Sequence, residues 1–365
     1  MTSEELQELF SKRTSLIDVR APVEFAQGHL PGAINLPILN DEERALIGTL
    51  YKKEGNEAAV QLGFKIVSGE IKNTRLQKWL DFISQNPETV IYCFRGGLRS
   101  QITQQWIQQA GVARPLIKGG YKRARNFLIE EMDHFSKNSS LLILSGTTGS
   151  GKTSFLHELK SFYPTIDLES LACHRGSAFG AMSTPQPSQI NFENELAVSL
   201  LAFKYVQNRI LIEDESRLIG QRAVPKPFFD KMRASPVLWI DETLENRVNN
   251  IFQDYIHSIM FEKESLIVLN VFARYKNSVQ NISKKLGGLR TLELLDLLQK
   301  AENEFLSSKN LDFNKEWIEK LLIYYYDPMY LNSLDSRQVN VLFKGSRSDC
   351  ADFLKSLKMD VVNEY

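Results

Sequence analysis

One stretch decides the fold of the first half of this chain: TVIYCFRGGLRS, residues 89–100. Its first four residues form an apolar run of β-type, and residues 101–109 after it have the character of a helix. A cysteine that ends a strand and precedes a glycine-rich turn and a helix start lies among several backbone N–H groups. These groups and the positive end of the helix predict an anion-binding loop.

The cysteine of this loop, Cys93, is the candidate catalytic nucleophile. The positive charges of Arg95 and Arg99 favour the thiolate, which is the nucleophilic form. Gly96 and Gly97 allow the backbone to close around an anion. The alternative is a buried, unreactive cysteine on a strand, a common role for a single cysteine. Two arginines and two glycines directly after Cys93 favour the reactive interpretation.

The composition is that of an ordinary globular protein of 365 residues, long enough for two domains. Its 44 basic and 44 acidic residues give a net charge of zero, so a site for a polyanion has to be a local patch. The three cysteines, Cys93, Cys173 and Cys350, predict neither a disulfide framework nor a zinc site. The acidic, polar start is unlike a signal peptide and no run reaches membrane-spanning length, so the cytoplasm is the expected location.

Upstream of the loop, two further blocks point to a known fold. Residues 15–20 read as a buried strand that contains Asp18 and Arg20, and residues 28–36, GHLPGAINL, read as a turn followed by a second strand. Together with the Cys93 loop these blocks resemble the rhodanese family, whose loop cysteine carries sulfur as a persulfide. The resemblance and the alternation of strand and helix predict an α/β domain with a parallel sheet over residues 1–137.

The loop departs from the usual sulfurtransferase pattern in its length. Five residues separate Cys93 from Arg99, one more than in the common rhodanese loop. A longer loop is similar to that of the related cell-cycle phosphatases, which take a tetrahedral phosphate, although Tyr92 stands where those enzymes usually have histidine. The length therefore predicts a substrate bulkier than sulfane sulfur, and one that carries phosphorus.

Two segments of the first domain allow two interpretations each. Residues 41–73 form an insertion that is either a solvated surface element or a lid facing the substrate. Residues 114–125 hold five basic and no acidic side chains, which are either solvated or in contact with a nucleic-acid backbone. The candidate tRNA-binding residues of this segment are Lys118, Lys122, Arg123 and Arg125.

The second half contains a complete phosphate-binding motif, GTTGSGKT at residues 146–153, between an apolar strand and a helix. The backbone of the loop surrounds a phosphate, Lys152 reaches the terminal phosphates and Thr153 is a magnesium ligand. Any diphosphate ester suits such a loop, and ATP is only the default. The predicted diphosphate-binding residues are Gly146, Gly149, Ser150, Gly151, Lys152 and Thr153.

The strands that follow end in carboxylates, which are the candidates for magnesium or substrate. Asp167 follows one strand-like segment, and Glu213 or Asp214 is expected to hold magnesium at the end of another. The pattern predicts a P-loop α/β domain over residues 138–365, with a largely helical part from about residue 265. The four tyrosines within residues 324–330 either stack a base or belong to the core. A second basic set that suits tRNA comprises Arg274, Lys284, Lys285 and Arg290.

The combination of these two domains resembles the tRNA 2-selenouridine synthase family. The blocks that carry the resemblance are residues 93–100, 146–153, HRGS at 174–177, QPSQ at 186–189, 213–217, LGG at 286–288 and YYDP at 325–328. The resemblance implies a transferase that converts wobble 2-thiouridine of tRNA to 2-selenouridine with selenophosphate. The intermediate is a geranylated 2-thiouridine made from geranyl diphosphate.

The resemblance also implies roles for the residues already singled out. Cys93 would handle selenium while Arg95, Gly96, Gly97 and Arg99 hold the phosphate group of selenophosphate, and the P-loop would grip the prenyl diphosphate. No tightly bound cofactor is expected, with magnesium as a candidate. The expected partners are tRNA and a selenophosphate-supplying enzyme, with no membrane.

Three other functions are open at this point. An ATP-dependent rhodanese-type sulfurtransferase acting on RNA would turn over ATP and need no prenyl donor. A rhodanese-like phosphatase would release phosphate from aryl phosphates, a function that Tyr92 disfavours. A non-catalytic tRNA-binding protein would tolerate the loss of Cys93, against which the intact loops argue.

Overall fold

The structure of this chain is a computed structural model that describes residues 1–176, 184–206, 208–261, 263–330 and 339–360. Ser177, the last residue of the HRGS block, lies outside the described residues. Contacts divide the chain into two compact units. The first comprises Met1–Asn138, Gln186–Lys204 and Arg222–Phe228, and the second comprises Ser139–Pro185, Tyr205–Gln221 and Phe229–Tyr365.

The elements follow one another in α/β order. Those of the first half are α1 (Ser3–Ser11), β1 (Leu16–Asp18), α2 (Pro22–Gln27), β2 (Ala33–Asn35), α3 (Asp41–Glu54), α4 (Asn56–Ile66), α5 (Gly69–Gln85), β3 (Val90–Tyr92), α6 (Leu98–Gln109), α7 (Gly120–Asn138), β4 (Leu141–Ser145), α8 (Lys152–Leu159), β5 (Thr165–Ile166) and α9 (Leu168–Ala172). Those that follow are α10 (Gln189–Leu201), β6 (Ile210–Glu213), β7 (Leu218–Ile219), β8 (Arg222–Ala223), α11 (Lys226–Arg233), β9 (Val237–Ile240), α12 (Leu244–Ile251), α13 (Ser258–Met260), α14 (Ser265–Asn281), α15 (Ser283–Leu286), α16 (Gly288–Ser308), α17 (Asn314–Leu321), β10 (Val341–Gly345) and α18 (Arg347–Asp360). Two π-helical turns follow α12 and α17, at Phe252–His257 and Leu322–Tyr326.

The first unit is built on a three-stranded parallel sheet in the order β2-β1-β3. The three strands are short, and the two that lie in the core, β1 and β3, consist of buried residues. The predicted parallel sheet is confirmed, and residue 116 adds only a single bridge, between Ile91 and Leu116. Gly119 and Gly120 have φ of +82° and +58°, so the chain turns there and enters α7.

The insertion at residues 41–73 is helical. It contains α3 and α4 and leads into α5, which buries Trp79 and Ile83 in the core of the first unit. A capping box starts α3, because the Asn40 side chain accepts from the backbone N–H of Glu43 while the Glu43 carboxylate accepts from that of Asn40. The segment is therefore a folded helical hairpin rather than an irregular loop.

Helix α10 comes from the second half of the sequence but belongs to the first unit. It packs against α7 and α1. Arg125 of α7 forms an ion pair with Glu193 and donates to the Asn194 side chain, which in turn donates to the carbonyl oxygen of His29 at 2.6 Å. This unit therefore includes residues that the sequence-based division at residues 137 and 138 places in the second domain.

The second unit has a five-stranded sheet in the order β10-β9-β4-β6-β5, and its paired strands are parallel. The central strand, β4, is buried at every residue. The motif at residues 146–153 connects the carboxyl end of β4 to α8, as expected for a P-loop α/β domain. This part of the predicted fold is confirmed, and β10 is the last described strand of the chain and lies at the edge of the sheet.

The remainder of the second unit is largely helical, as predicted from about residue 265. Helices α12, α14, α16 and α17 enclose a separate core that contains the buried Phe272, Tyr275 and Trp317. Tyr326 is buried in the same core, with Tyr324 and Tyr325 packed against it. None of the helices in the described ranges is long and apolar enough to cross a membrane.

Candidate functional site

The cysteine loop follows β3 directly and ends at the first turn of α6. Cys93 is only 3% exposed, and its Sγ lies 3.1 Å from the hydroxyl oxygen of Ser100. The Ser100 hydroxyl is also 3.1 Å from the carbonyl oxygen of Gly97. The sulfur is thus held at the floor of the loop by the start of the helix that follows it.

The loop backbone is supported by the turn at Gly119 and Gly120. The N–H of Tyr121 donates to the carbonyl of Cys93 at 2.8 Å, and that of Lys122 donates to the carbonyl of Phe94 at 3.0 Å. A Cβ on Gly120 would lie 2.3 Å from the Cys93 carbonyl oxygen, so only glycine fits this close approach. The second glycine pair therefore fixes the shape of the first loop.

The two arginines of the loop differ in their surroundings. Arg99 forms a bidentate ion pair with Glu24, with N···O distances of 2.6 and 3.2 Å. Burial raises the pKa of Glu24, but the Arg99 hydrogen bond and charge outweigh it and the pKa is lowered. Among the described residues Arg95 forms no ion pair, and its guanidinium lies 5.8 Å from the Phe94 ring centre. Arg95 is therefore the cation of the loop that is available to an anion in this conformation.

A cavity of about 660 Å³ opens beside Cys93. Its walls come from the loop, from α6 and from the insertion helices α3 and α4. The insertion thus faces a cavity at the nucleophile, which favours the interpretation as a substrate-facing element over that of a purely solvated one. Most of the lining side chains are apolar or aromatic, among them Ile38, Leu39, Ile47, Tyr51, Val60, Phe64, Val67, Leu98, Ile102 and Trp106.

Asp18 and Arg20, which helped to identify the fold, have structural roles. Both are buried and form an ion pair of 2.6 Å. The Arg20 guanidinium also donates to the carbonyl of Gly28 and lies 4.0 Å from the Tyr121 ring centre. Tyr92 is buried, and burial raises the pKa of its hydroxyl, which accepts from the backbone N–H of Leu30.

A second cavity, of about 510 Å³, is lined by three basic side chains and one acidic side chain, Glu130. Arg95, Lys122 and Arg123 line it. No ion pair involves these three side chains in the ranges that the structure describes. Lys118 is close in sequence but is not among the lining residues, and Arg125 is engaged with α10. The structure therefore brings three of the predicted anion- and tRNA-binding residues together at one surface.

The P-loop of the second unit has the backbone of a phosphate cradle. Gly149 and Gly151 have φ of +86° and +75°, and a Cβ on Gly149 would meet the carbonyl oxygen of Arg247 at 2.8 Å. The Lys152 ammonium donates to the carbonyl of Gly146 at 2.8 Å, across the mouth of the loop. Ser150 is fully buried. The loop is thus preformed, with its lysine folded over the place of a phosphate.

Arg247 stabilises the P-loop through its side chain. It is 5% exposed, donates to the carbonyl of Thr148 at 2.8 Å and pairs with Asp327. Asp327 belongs to the YYDP block, so that block has a structural connection to the P-loop through Arg247. Arg347 at the start of α18 donates to Ser154 at 3.2 Å and was not singled out by the sequence.

Three carboxylates meet beside the P-loop: Glu169, Glu213 and Glu215, each with an oxygen within 4.8 Å of the others. Burial and the neighbouring acids raise the pKa of all three, that of Glu215 to about 8. Neither carboxylate oxygen of Glu213, which is 1% exposed, has a hydrogen-bond partner in the described part of the chain. Glu169 accepts from the Thr153 hydroxyl at 3.0 Å. Buried, unpaired carboxylate oxygens next to the P-loop threonine fit a divalent cation such as magnesium.

The other two predicted acids have different partners. Asp214 accepts from the Ser145 hydroxyl at 2.7 Å and forms an ion pair with Arg233 at 2.9 Å. Asp167 lies 2.5 Å from the His157 ring and caps α9, and its charge contributes to the raised pKa of Glu169 and Glu213. Of the three acids chosen from sequence, Glu213 is therefore the one in the carboxylate cluster. Glu169 and Glu215 were missed, although each lies within two residues of a chosen acid.

The remaining basic residues lie on the helical part of the second unit. Arg274 is on α14, Lys284 and Lys285 are on α15, and Arg290 is in the first turn of α16. The Arg290 guanidinium is 4.8 Å from the Tyr324 ring centre. Tyr324 is partly buried against the helical core, so the aromatic stretch combines a core role with contacts to this basic set.

Comparison with known proteins covers both units. The family model described as the tRNA 2-selenouridine synthase AAA domain matches residues 139–360, and the rhodanese-like domain matches residues 2–126. A curated protein of Nitrosomonas eutropha named tRNA 2-selenouridine synthase is 53% identical, with 98% of this chain and 97% of that protein covered. Proteins of the same name from Nitrosomonas europaea and Bdellovibrio bacteriovorus are 51% and 52% identical, each over 97% of this chain and 98% of their own length.

Proposed function

Because this chain belongs to the tRNA 2-selenouridine synthase family, we propose that it is a transferase that modifies wobble 2-thiouridine of tRNA in two steps. The sulfur is first geranylated from geranyl diphosphate, and selenium from selenophosphate then replaces the geranylthio group. The assignment of two steps rests on the presence of two sites in one chain. One is a cysteine at the floor of an anion-binding loop, and the other is a preformed P-loop with its own carboxylate cluster.

The P-loop suits the prenyl step. The thiouridine sulfur attacks C1 of geranyl diphosphate, so that a C–S bond forms, the C–O bond breaks and diphosphate leaves with the electron pair. The base loses its N3 proton to the solvent. Lys152 and the loop N–H groups would stabilise the charge that develops on the diphosphate. Magnesium, which would be held by Glu169, Glu213 and Glu215 with Thr153 nearby, would neutralise the same charge.

The cysteine loop suits the selenium step. Selenium adds to C2 of the base, the C–S bond breaks, and geranyl thiolate leaves and takes up a proton. Water then cleaves the bond between phosphorus and selenium and releases phosphate. Cys93 would contact the selenium atom of the donor, while Arg95 would bind the phosphate group of the same molecule. Arg99 would contribute only after separating from Glu24, with which it forms a bidentate pair.

Two variants test which of the two sites performs which step. Full-length Cys93→Ala and Lys152→Ala proteins are incubated with thiolated tRNA, geranyl diphosphate and selenophosphate, and the nucleosides are quantified by mass spectrometry. We expect Cys93→Ala to accumulate geranylthiouridine and to lose at least about 100-fold in selenouridine, because the thiol beside the selenium donor is removed. Lys152→Ala should lose geranylation and still selenate tRNA that was geranylated beforehand. Selenouridine formation by Cys93→Ala at the wild-type rate would show that the selenium step does not use this residue.

The ATP-dependent sulfurtransferase remains the competing function, and one measurement separates the two. The proposed function requires no ATP, so tRNA selenation should proceed in its absence with geranyl diphosphate supplied. ATP hydrolysis that depends on thiolated tRNA and accompanies each product would favour the sulfurtransferase. The proposal places the protein in the cytoplasm with tRNA and a selenophosphate-supplying enzyme as partners.

A further inference from the structure

The cavity beside Cys93 is more apolar than the proposed selenium chemistry alone requires. Selenophosphate and a uridine base are polar, yet the walls include Ile47, Val60 and Ile102. Three more lining side chains, Tyr51, Phe64 and Leu98, are 57%, 48% and 46% exposed, so a folded segment leaves large apolar surfaces in contact with solvent. Such clustered apolar exposure indicates a binding surface.

The cavity is charged beside the nucleophile, and four further polar side chains line it from α3 and α4, namely Arg44, Thr49, Lys52 and Asn56. Arg95 and Arg99 line it together with Cys93, and Glu24 neutralises Arg99. The cavity therefore offers a cation for an anionic donor next to the sulfur and an apolar wall beyond it. Its occupant should combine a reacting polar end with an extended hydrocarbon part.

A stacked nucleobase would fit the walls of this cavity less well than a hydrocarbon chain. The aromatic side chain most deeply placed in the cavity is Trp106, whose ring packs against that of Trp79 with centres 6.3 Å apart. The Lys72 ammonium lies 4.7 Å from the centre of the same ring. The ring is thus already covered by other side chains of the first unit, and the aliphatic residues Ile47 and Val60 offer no stacking face.

We propose that this cavity binds the branched ten-carbon prenyl chain of S-geranylated thiouridine, so that the C2–S bond to be broken lies at Cys93. This inference rests on the proposed function and adds a substrate-binding role for the insertion helices α3 and α4. The apolar walls hold the leaving group while Arg95 holds the anionic donor. The rhodanese-like unit would then select its substrate by the prenyl chain as well as by the RNA.

The test compares two synthetic RNA hairpins that carry S-geranyl- or S-methyl-2-thiouridine. We expect the wild-type protein to selenate the geranyl hairpin at least about tenfold faster in kcat/KM, because one methylene in an apolar pocket already changes this ratio by about that factor. Val60→Trp, which fills the cavity, should lower the geranyl-to-methyl ratio at least fivefold. Gln61→Trp is the matched control, since Gln61 is the next residue of α4 and is exposed outside the cavity.

The results of the hairpin assay distinguish a failure of the prenyl-binding cavity from a failure of the proposed function. An unchanged ratio in Val60→Trp, or an equal loss with both hairpins as expected for a base in the cavity, overturns the assignment of the cavity. If the wild-type protein forms no selenouridine from the geranyl hairpin, the proposed function itself fails and the inference fails with it.

A measurement on the wild-type chain keeps the inference testable if Val60→Trp does not fold. Geranyl thiol, the expected product, should slow iodoacetamide alkylation of Cys93 at least about fivefold in peptide mass spectrometry, whereas methanethiol and uridine should not. Alkylation of Cys173 in the same sample is the internal control. Equal rates with and without geranyl thiol would contradict a prenyl site beside Cys93.

Discussion

Ser100 places its hydroxyl 3.1 Å from the sulfur of Cys93, so the reactivity of the cysteine should depend on it. A hydrogen bond to a charged group contributes about 1.5–3 kcal/mol, and loss of the hydroxyl should slow alkylation of Cys93 roughly tenfold at neutral pH. We expect this loss in Ser100→Ala and its recovery in Ser100→Thr, which retains the hydroxyl. Stopped-flow reaction with iodoacetamide measures both rates. Equal rates in wild type and Ser100→Ala would show that the hydroxyl bonds only to Gly97.

The carboxylate cluster predicts a pH dependence of stability. The pKa of Glu213 in the folded chain lies well above the ordinary value of a glutamate, chiefly through burial and then through the charge of Glu169. Folding therefore favours the protonated form, and the stability it contributes is present at low pH and is lost as the pH rises above about 4.5. Glu213→Gln removes this loss and should unfold at a higher temperature than wild type at pH 8, where each 1 kcal/mol regained raises the unfolding temperature by about 2–4 °C in a domain of this size.

Calorimetry at pH 4.5 and pH 8 without divalent cations checks this expectation. The two proteins should differ little at pH 4.5. Magnesium at pH 8 should stabilise the wild type and leave Glu213→Gln nearly unchanged, because the glutamine lacks the charge that a cation binds. A variant that is less stable than wild type at pH 8 without magnesium would contradict the raised pKa.

The placement of single residues was predictable where a motif fixes the backbone. Cys93, Lys152 and Thr153 lie where their motifs predict because glycines and a following helix start define each loop locally. The pairing of Arg99 with Glu24 and the grouping of Glu213 with Glu169 were not predictable, since Glu24 and Glu169 reach them from other helices. Such contacts depend on tertiary packing, which no spacing in the sequence encodes.

Among the elements, the turn at Gly119 and Gly120 controls the cysteine loop. Gly120→Ala would bring a Cβ to 2.3 Å from the Cys93 carbonyl oxygen and to 2.5 Å from the N–H nitrogen of Gly96, at a φ of +58°. We expect a loss of more than about 2 kcal/mol in unfolding free energy, from the clash added to the strain of positive φ. Gly111→Ala is the matched control, because Gly111 has a φ of +90° and a Cβ there meets nothing within 4 Å.

Urea unfolding of both alanine variants distinguishes clash from backbone strain. Gly111→Ala should lose only about 1 kcal/mol. Equal losses in the two variants would mean that the close approach of Gly120 to the cysteine loop adds nothing to stability. Slower alkylation of Cys93 in Gly120→Ala alone would show that the same turn also fixes the geometry of the nucleophile.

Element boundaries followed from the sequence better than element partners did. The strands that carry the two loops were predicted because continuous apolar runs end in glycine-rich turns. Leu116 forms only a single bridge to β3, because Gly119 and Gly120 with positive φ turn the chain into α7. Helix α10 has the N-cap and the apolar residues of an ordinary helix. Its own sequence therefore does not indicate that Glu193 and Asn194 belong to the first unit.

At the scale of the whole molecule, a neutral chain has to bind tRNA through local charge. Lys122 and Arg123 lie in the first turn of α7, where the helix dipole is positive and no acidic side chain occurs. Basic side chains at this end add to the dipole rather than compensating it, so the first turn is an unfavourable place for them unless an anion is bound. Together with Arg95 they line one cavity, which makes this surface the best candidate for an RNA phosphate.

This arrangement predicts how tRNA affinity responds to salt. Neutralising two phosphate contacts in the Lys122→Ala/Arg123→Ala protein should weaken binding at low salt and reduce the slope of log K against log salt by about 1.4–1.8, at roughly 0.7–0.9 per contact. Lys137→Ala is the matched control, since Lys137 lies at the other end of α7 and is already paired with Asp133 at 2.5 Å. Filter binding from 50 to 300 mM salt measures both slopes. If the double variant keeps the wild-type slope, the RNA does not contact the first turn of α7, and the basic residues on α14, α15 and α16 become the surface to substitute next.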